Sequence, residues 1–299
     1  MPNNRIFYAS QSVSVAGTVV QGATSVSLAT NFSLEKMYQL GHISVYDQIV
    51  NAPEVEVTIA KNLDGNASIY NLATGGGSLV ANSADVATLV LSIGTDTDQQ
   101  VTNAPTVVMT GCFLKSVKYD MQVEGGFTEE CSFVGNSKTA STAGAAPAAS
   151  GAKVLTRRNF KLVGSTLPSE VTGKNLQSVS ISADLGREAM YKLGQFTPFF
   201  RSVQFPLEIT CEIAVMATAS DGVLIDNSVV EGCVATGVPT QQSIVIQLCS
   251  ASGTGVYYTF DLGDKNTLQS VNYSGGDTGG GNVTITYSYT TANTLTITG

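Results

Sequence analysis

Apolar and polar side chains alternate along most of this chain with the period of a half-buried strand. Residues 5–20, RIFYASQSVSVAGTVV, alternate in part, and Ser25–Leu28 continue the pattern with Val26 and Leu28 on one face. VEVTIA (Val55–Ala60) and LEITCEIAV (Leu207–Val215) read as strands by β-branching and alternation. VATLVLSI (Val86–Ile93) is apolar and strand-sized, and Thr106–Cys112, Phe113–Gln122 and Thr128–Val134 predict a β-meander. The last third predicts short strands at Ile244–Leu248, Tyr257–Asp261, Leu268–Tyr273, Val283–Tyr289 and Thr294–Thr298, separated by Gly, Asn and Asp turns. That spacing points to a sandwich or barrel-like β domain.

Two passages break the period. In the first, Asn31 or Ser33 can cap a helix, Leu34, Met37, Tyr38 and Leu40 fall near one helical face, and Gly41 supplies a left-handed stop. In the second, Asp184 is the cap candidate, followed by Leu185, Ala189, Met190, Tyr191 and Leu193 up to Gly194. The spacing predicts one short helix in each passage, packed on a sheet by its apolar stripe.

The two passages are copies of one another. SVSLATNFSLEKMYQLG (Ser25–Gly41) returns as SVSISADLGREAMYKLG (Ser178–Gly194), and 178 − 25 and 194 − 41 are both 153. The echo continues in order. Pro53 with VEVT is matched by Pro206 with LEIT, Asp64-Gly65 by Asp221-Gly222, and LKSVKY (Leu114–Tyr119) by LQSVNY (Leu268–Tyr273). Gly125-Gly126 is matched in turn by Gly275-Gly276. An ordered repeat of this length predicts two copies of one domain. The expected division is 1–140, a flexible linker at 141–152 overlapping the Ala/Gly-rich SKTASTAGAAPAASG (Ser137–Gly151), and 153–299.

Composition changes the picture in two ways. Only 13% of the 299 residues are charged, which fits either a surface largely covered by partners or a β protein rich in Ser and Thr. The net charge of −8 lies mostly in residues 1–150, with 6 Lys/Arg against 12 Asp/Glu, and the rest has 9 against 11. No basic block exists, which argues against tight binding of nucleic-acid phosphates. The start MPNNRIFYAS reads as no secretory leader, and no apolar run reaches membrane-helix length. Five cysteines without close pairs read as reduced thiols made in a cytoplasm. Four of them (Cys112, Cys131, Cys211 and Cys249) lie in strand-like runs as small core residues, and one disulfide is the alternative.

Candidate chemistry is sparse. His42 is the single histidine, and it aligns with Gln195 in the second copy, so it reads as a turn residue. A His-rich zinc site, CxxC spacing and a GxSxG elbow are all missing, and the Gly-rich stretches lack the Lys-Ser/Thr of a phosphate loop. Asp96-Thr97-Asp98 reads as an acidic turn rather than a calcium loop. The doublet Glu129-Glu130 could do acid–base work, but the second copy has no acidic match there, so a solvated strand edge is expected. No enzyme, cofactor or metal follows from these residues.

The stretch QGATSVSLATNFSLEKMYQLGHISVYDQIVNAPEVEVTIAKNLDG resembles the core of tail tube (major tail) proteins of tailed bacteriophages. The features that carry it are the Val26–Leu28 strand, the Leu34-Glu35…Leu40-Gly41 passage, Tyr46, and Pro53…Val55-Glu56-Val57-Thr58 before Asp64-Gly65. The resemblance implies a β-sandwich or barrel-like domain with one flanking helix. It also implies stacked rings of sixfold symmetry, so a tandem chain would form trimeric, pseudo-hexameric rings in a virion tail assembled in the host cytoplasm. The implied partners are other copies of the chain and the sheath, tape measure, baseplate and terminator proteins. Double-stranded DNA would pass through the lumen without specific binding. The lumen candidates are Asp120, Glu124, Glu129 and Asp277. The competing readings are a terminator or tube initiator of the same fold, a surface- or carbohydrate-binding sandwich, and an enzyme with an unrecognised carboxylate pair.

Overall fold

The computed structural model describes residues 11–93, 105–141, 151–162, 165–218, 240–250, 255–275 and 283–299. The first half runs β1 (Gln11–Val15), β2 (Thr18–Val19), β3 (Ala23–Asn31), β4 (Leu34–Tyr38), β5 (Val45–Val50) and β6 (Glu54–Asn62). It continues through α1 (Ile69–Thr74), β7 (Gly77–Ser78), β8 (Val86–Ile93), β9 (Thr106–Gln122), β10 (Thr128–Gly135) and β11 (Ser137–Ser141). The second half has β12 (Asn175–Asp184), β13 (Glu188–Met190), β14 (Phe200–Ser202), β15 (Glu208–Met216) and β16 (Val245–Cys249). It ends with β17 (Val256–Asp261), β18 (Thr267–Ser274), β19 (Thr284–Ala292) and β20 (Thr296–Thr298).

The fold is mainly β, as the alternation predicts. One antiparallel path, β3-β6-β10-β9-β12-β15-β19-β18, crosses both halves of the chain. Its strands alternate cleanly. In β6 the side chains of Val55, Val57, Ile59 and Lys61 face inward, and in β15 those of Ile209, Cys211, Ile213 and Val215. The expected strands Thr106–Cys112 and Phe113–Gln122 are a single strand, β9. Its first half pairs with β8 and β11 and its second with β10 and β12. Gly111, at φ +68, sits where β9 changes partners, a backbone conformation that side chains with a Cβ rarely adopt.

A second layer, β16-β17-β20-β7, covers the core. Phe260 of this layer meets Tyr119 of β9 with ring centroids 4.6 Å apart. Strand β7 belongs to the first half yet pairs with β20 at Ser78–Thr296 and Gly77–Ile297, so the segment Leu72–Asp85 reaches across to the second half. One continuous apolar core contains residues of both halves, from Val13 to Ile297. Residues 142–150 of the expected linker lie outside the described residues. Just beyond them, Leu155 is buried and bridges Leu63 and Phe127 by backbone hydrogen bonds.

The two predicted helices are not helices. Leu34–Tyr38 and Glu188–Met190 are strands, each the first limb of a hairpin, β4–β5 and β13–β14. Leu40-Gly41 and Leu193-Gly194 form the hairpin tips, with both leucines fully exposed. The α-helix of the described residues is α1, where Ser68 Oγ accepts from Asn71 N–H at 3.0 Å and Gly75, at φ +79, closes the other end; a single 3-10 turn spans Arg157–Asn159.

Cys112, Cys131 and Cys211 are buried free thiols and Cys249 is half-buried, while Cys233 lies outside the described residues. Burial pushes the Cys112 thiol up to about 11 and the Cys211 thiol up to about 12. A maleimide reagent at neutral pH is therefore expected to leave Cys112, Cys131 and Cys211 unlabelled until denaturant is added. Rapid native labelling at any of the three, read by peptide mass, would contradict this packing.

Candidate assembly interface

The centre of the long sheet is the junction between halves, where β9 and β12 run antiparallel. Its register places Val179 opposite Met121, Ile181 opposite Tyr119, Ala183 opposite Val117 and Asp184 opposite Ser116. Every apolar member of these pairs is buried. The ladder extends past Asp184, where Leu185 N–H donates to the Lys115 carbonyl at 2.8 Å. Leu185 is 0% exposed.

The arm β13–β14 leaves the sheet at this point and grips the first half. Arg187 Nε donates to the Leu114 carbonyl at 2.7 Å, and its guanidinium lies over the Phe113 ring. Burial lowers the Arg187 pKa to about 10. Phe200 packs edge-on to Phe113 at 5.8 Å. Arg201, nearly buried, donates to Asn136 Oδ1 at 2.9 Å and 3.1 Å and to the Glu54 carboxylate at 3.2 Å.

Both ends of the path are open. Among the described residues, β3 pairs only with β6, and β18 only with β19. These end strands correspond to the strands joined at the centre. The sequence repeat sets Ser25–Asn31 of β3 against Ser178–Asp184 of β12, and LKSVKY of β9 against LQSVNY of β18. Local irregularities fall at the same places. A register shift lies between Ala23 and Ser25 in β3 and between Leu176 and Ser178 in β12. Another lies between Ser132 and Phe133 beside β9 and between Leu268 and Ser270 in β18, where Gln269 takes the place of Lys115.

Burial differs between the joined and the open strands. Tyr119 is 0% exposed and its counterpart Tyr273 is 53% exposed. Ile181 is buried and its counterpart Leu28 only half-buried. An open edge with unpaired backbone groups and apolar side chains is a ready site for strand addition.

Large apolar side chains also cover the two arms. Phe32, Tyr38, Leu40, Ile43 and Tyr46 are exposed on the first, and Met190, Tyr191, Leu193, Phe196 and Phe199 on the second. His42 is exposed in the first tip turn, its N–H donating to the Gln39 carbonyl at 3.2 Å. Clustered exposed apolar side chains of this kind mark sites of interaction with protein, membrane or ligand.

The face of the long sheet turned away from the core is polar and acidic. Glu56, Asp120, Glu130, Glu208 and Glu212 lie on it with Lys115 and Lys118. Lys115 pairs with Glu56 at 2.5 Å, and Lys118 with Asp120 at 2.8 Å. The hydrogen bond from Lys118 to Asp120 raises the lysine pKa, and Glu130 and Glu212 add to the pull. Of the four acidic candidates, Asp120 is on this face and half-buried, Glu124 is exposed in the β9–β10 turn, and Asp277 lies outside the described residues.

Glu129 is on the opposite face. It is 0% exposed, neither on a solvated edge nor on an open wall. Its carboxylate accepts from Ile69 N–H at 2.7 Å, Tyr70 N–H at 3.0 Å and Tyr119 O–H at 2.9 Å, closing the start of α1. Burial raises its pKa, against the pull of these donors and of Lys61. Lys61 is itself buried and pairs with Asp64 at 3.2 Å.

Residues 7–139 match the family model described as Phi812 tail tube protein. Over this segment the chain is similar to phage tail tube proteins. No curated protein matches the chain. The matched segment takes in β1 to β10 and most of β11, and so carries the open edge β3, the first arm, the buried Glu129 and the strand β9 that receives β12. The match links this segment, and not the second half of the chain, to the tail tube of phage virions. Among the described residues no three His, Cys, Asp or Glu side chains are grouped to hold a metal ion, and no helix is long and apolar enough to cross a membrane.

Proposed function

We propose that the chain is a tail tube protein built of two tandem tube domains, copies of which join head to tail into a ring. The observation that carries this reading is that the sheet path starts with the counterpart of β12 and ends with the counterpart of β9. The join already made inside the chain is therefore available between chains, β18 of one copy to β3 of the next. Such a heterologous contact repeats until its rotation closes. If each sequence copy is one sixth of the ring, three chains complete it, with pseudo-sixfold symmetry. Stacked rings then form the tube, with sheath, tape measure, baseplate and terminator proteins as its further partners.

In this ring the polar face of the long sheet lines the lumen. Asp120, Glu130 and Glu212 repel the phosphates of double-stranded DNA over roughly the 8–10 Å of a physiological Debye length. The genome thus slides without binding. Negative-stain electron microscopy with averaged end-on views tests the assembly. Hollow rings or tubes with three protomers and six lobes are expected. Closed two-fold dimers without a channel would overturn the reading, and a product that stops at one ring would make the chain a terminator.

A further inference from the structure

The two arms have the same register but different surroundings. In the first, Glu35 faces Ile49, Lys36 faces Gln48 and Met37 faces Asp47. In the second, Glu188 faces Ser202, Ala189 faces Arg201 and Met190 faces Phe200. Each pair maps onto its counterpart by the same offset as the strands before it. At the root of the second arm Leu185 is fully buried against the first half. Its counterpart at the root of the first arm, Phe32, is 64% exposed. Leu34, the counterpart of the gripping Arg187, is also exposed.

We propose that the root of the first arm seats on the β18 end of a second copy of this chain, repeating between chains the grip that the second arm makes within one. This rests on the head-to-tail ring proposed above. Phe32 is the residue next to Asn31 at the end of the open strand β3, so a copy that adds β18 to β3 brings its own Leu268 and Gln269 to the Phe32 position. Those residues correspond to Leu114 and Lys115, the seat of Leu185. Leu268 is 9% exposed, close to the 4% of its counterpart Leu114, while Gln269 is exposed with its backbone outside the β18–β19 ladder. In this joint Phe32 N–H donates to the Gln269 carbonyl, and the ring packs beside Leu268.

The chemistry of the two joints differs in a specific way. Arg201, which holds Glu54 and Asn136 within the chain, corresponds to Gln48, and Asn136 to Ala292. The letters VEVT and LEIT align Glu56 with Glu208, but the strand register sets Val55 opposite Thr30 and Ile209 opposite its counterpart Ala183, so in space Glu54 takes the place of Glu208, which is exposed. The joint between chains therefore exchanges a charged grip for a larger apolar one, with a neutral amide facing the carboxylate. The tips take no part in the seat, because Leu193 stays fully exposed where the second arm is docked.

Asn31→Cys with Ser270→Cys places thiols opposite each other in the expected strand register, as Asp184 lies opposite Ser116. Oxidation of this double variant should give a ladder of covalently linked chains, and that ladder reads the ring itself. Adding Phe32→Asp should raise the concentration needed for half-maximal linkage about tenfold or more, with no change in the monomer's melting temperature. Adding Leu40→Asp at the tip should leave it unchanged. Equal linkage in the Phe32→Asp and Leu40→Asp backgrounds would overturn the seat and leave the ring standing. No linkage in any background, with wild-type chains monomeric by sedimentation, would overturn the ring and the seat together. Should Phe32→Asp lower the melting temperature, Phe32→Ser removes the ring without adding a charge and is read against the same outcomes.

Discussion

Glu129→Ala is expected to lower folding stability by about 3–5 kcal/mol, the range for removing one member of a buried charged network. The side chain projects from β10 into the core beneath α1. It takes up two backbone N–H groups, those of Ile69 and Tyr70, and the Tyr119 hydroxyl. Alanine leaves all three donors buried without an acceptor, at about 1–3 kcal/mol each before relaxation. It also removes a negative charge near the buried Lys61. Glu129→Gln keeps one acceptor oxygen but turns an amide N–H₂ toward donors, so an intermediate loss is expected. Urea denaturation of the monomer at neutral pH reads both. A loss under about 1 kcal/mol for alanine would mean that water replaces the carboxylate, and the account of α1 would be wrong. The matched Glu130→Ala removes a side chain on the polar face and is expected to change stability by no more than about 0.5 kcal/mol.

That neighbouring pair shows how much of the fold was legible and where reading failed. Alternation identified the strands because one face of each packs on a core. The same parity places Glu129 with Cys131 and Phe133 on the buried face and Glu130 on the other. A charged doublet suggests a solvated edge, yet strand parity requires one of the two to point inward. The arms failed for a different reason. They pack little on their own core, so nothing confines their apolar residues to period two. Leu34, Met37, Tyr38 and Leu40 then happen to fit a helical stripe. Gly41 and Gly194 do have positive φ, as a helix stop would, but they turn hairpins. The real helix, α1, has six residues, too few for a periodic signal. Ser68 and Gly75 at its ends were the sequence marks that could have located it. The repeat was visible in the letters alone. What the letters could not show was that the two halves of the chain share one sheet, since strand pairing across β9 and β12 depends on contacts far apart in the chain.

The same repeat supplies a matched pair of substitutions with separable effects. Tyr119 and Tyr273 occupy the same place in LKSVKY and LQSVNY. Tyr119→Ala removes a ring packed against Phe260 and the donor to Glu129, and should cost about 3–5 kcal/mol of folding stability, as large-to-small core changes do. Tyr273→Ala removes a ring that is half in solvent in the single chain, and should leave the monomer's stability within about 0.5 kcal/mol of wild type. Its cost should appear on assembly. If β18 of one chain meets β3 of the next in the register of the central junction, Tyr273 faces Leu28 as Tyr119 faces Ile181. An aromatic anchor at the middle of such an interface is worth about 2 kcal/mol or more, so each contact weakens roughly thirtyfold, and a closed ring of three pays it three times. Sedimentation and electron microscopy of the variant at the concentration where wild type just assembles should then find monomers. Wild-type rings from Tyr273→Ala, or an unfolded monomer, would each mean that β18 is not the edge that closes the ring. The contrast is informative because the residue and its place in the repeat are matched, while the following strand is within the chain for Tyr119 and must come from another for Tyr273.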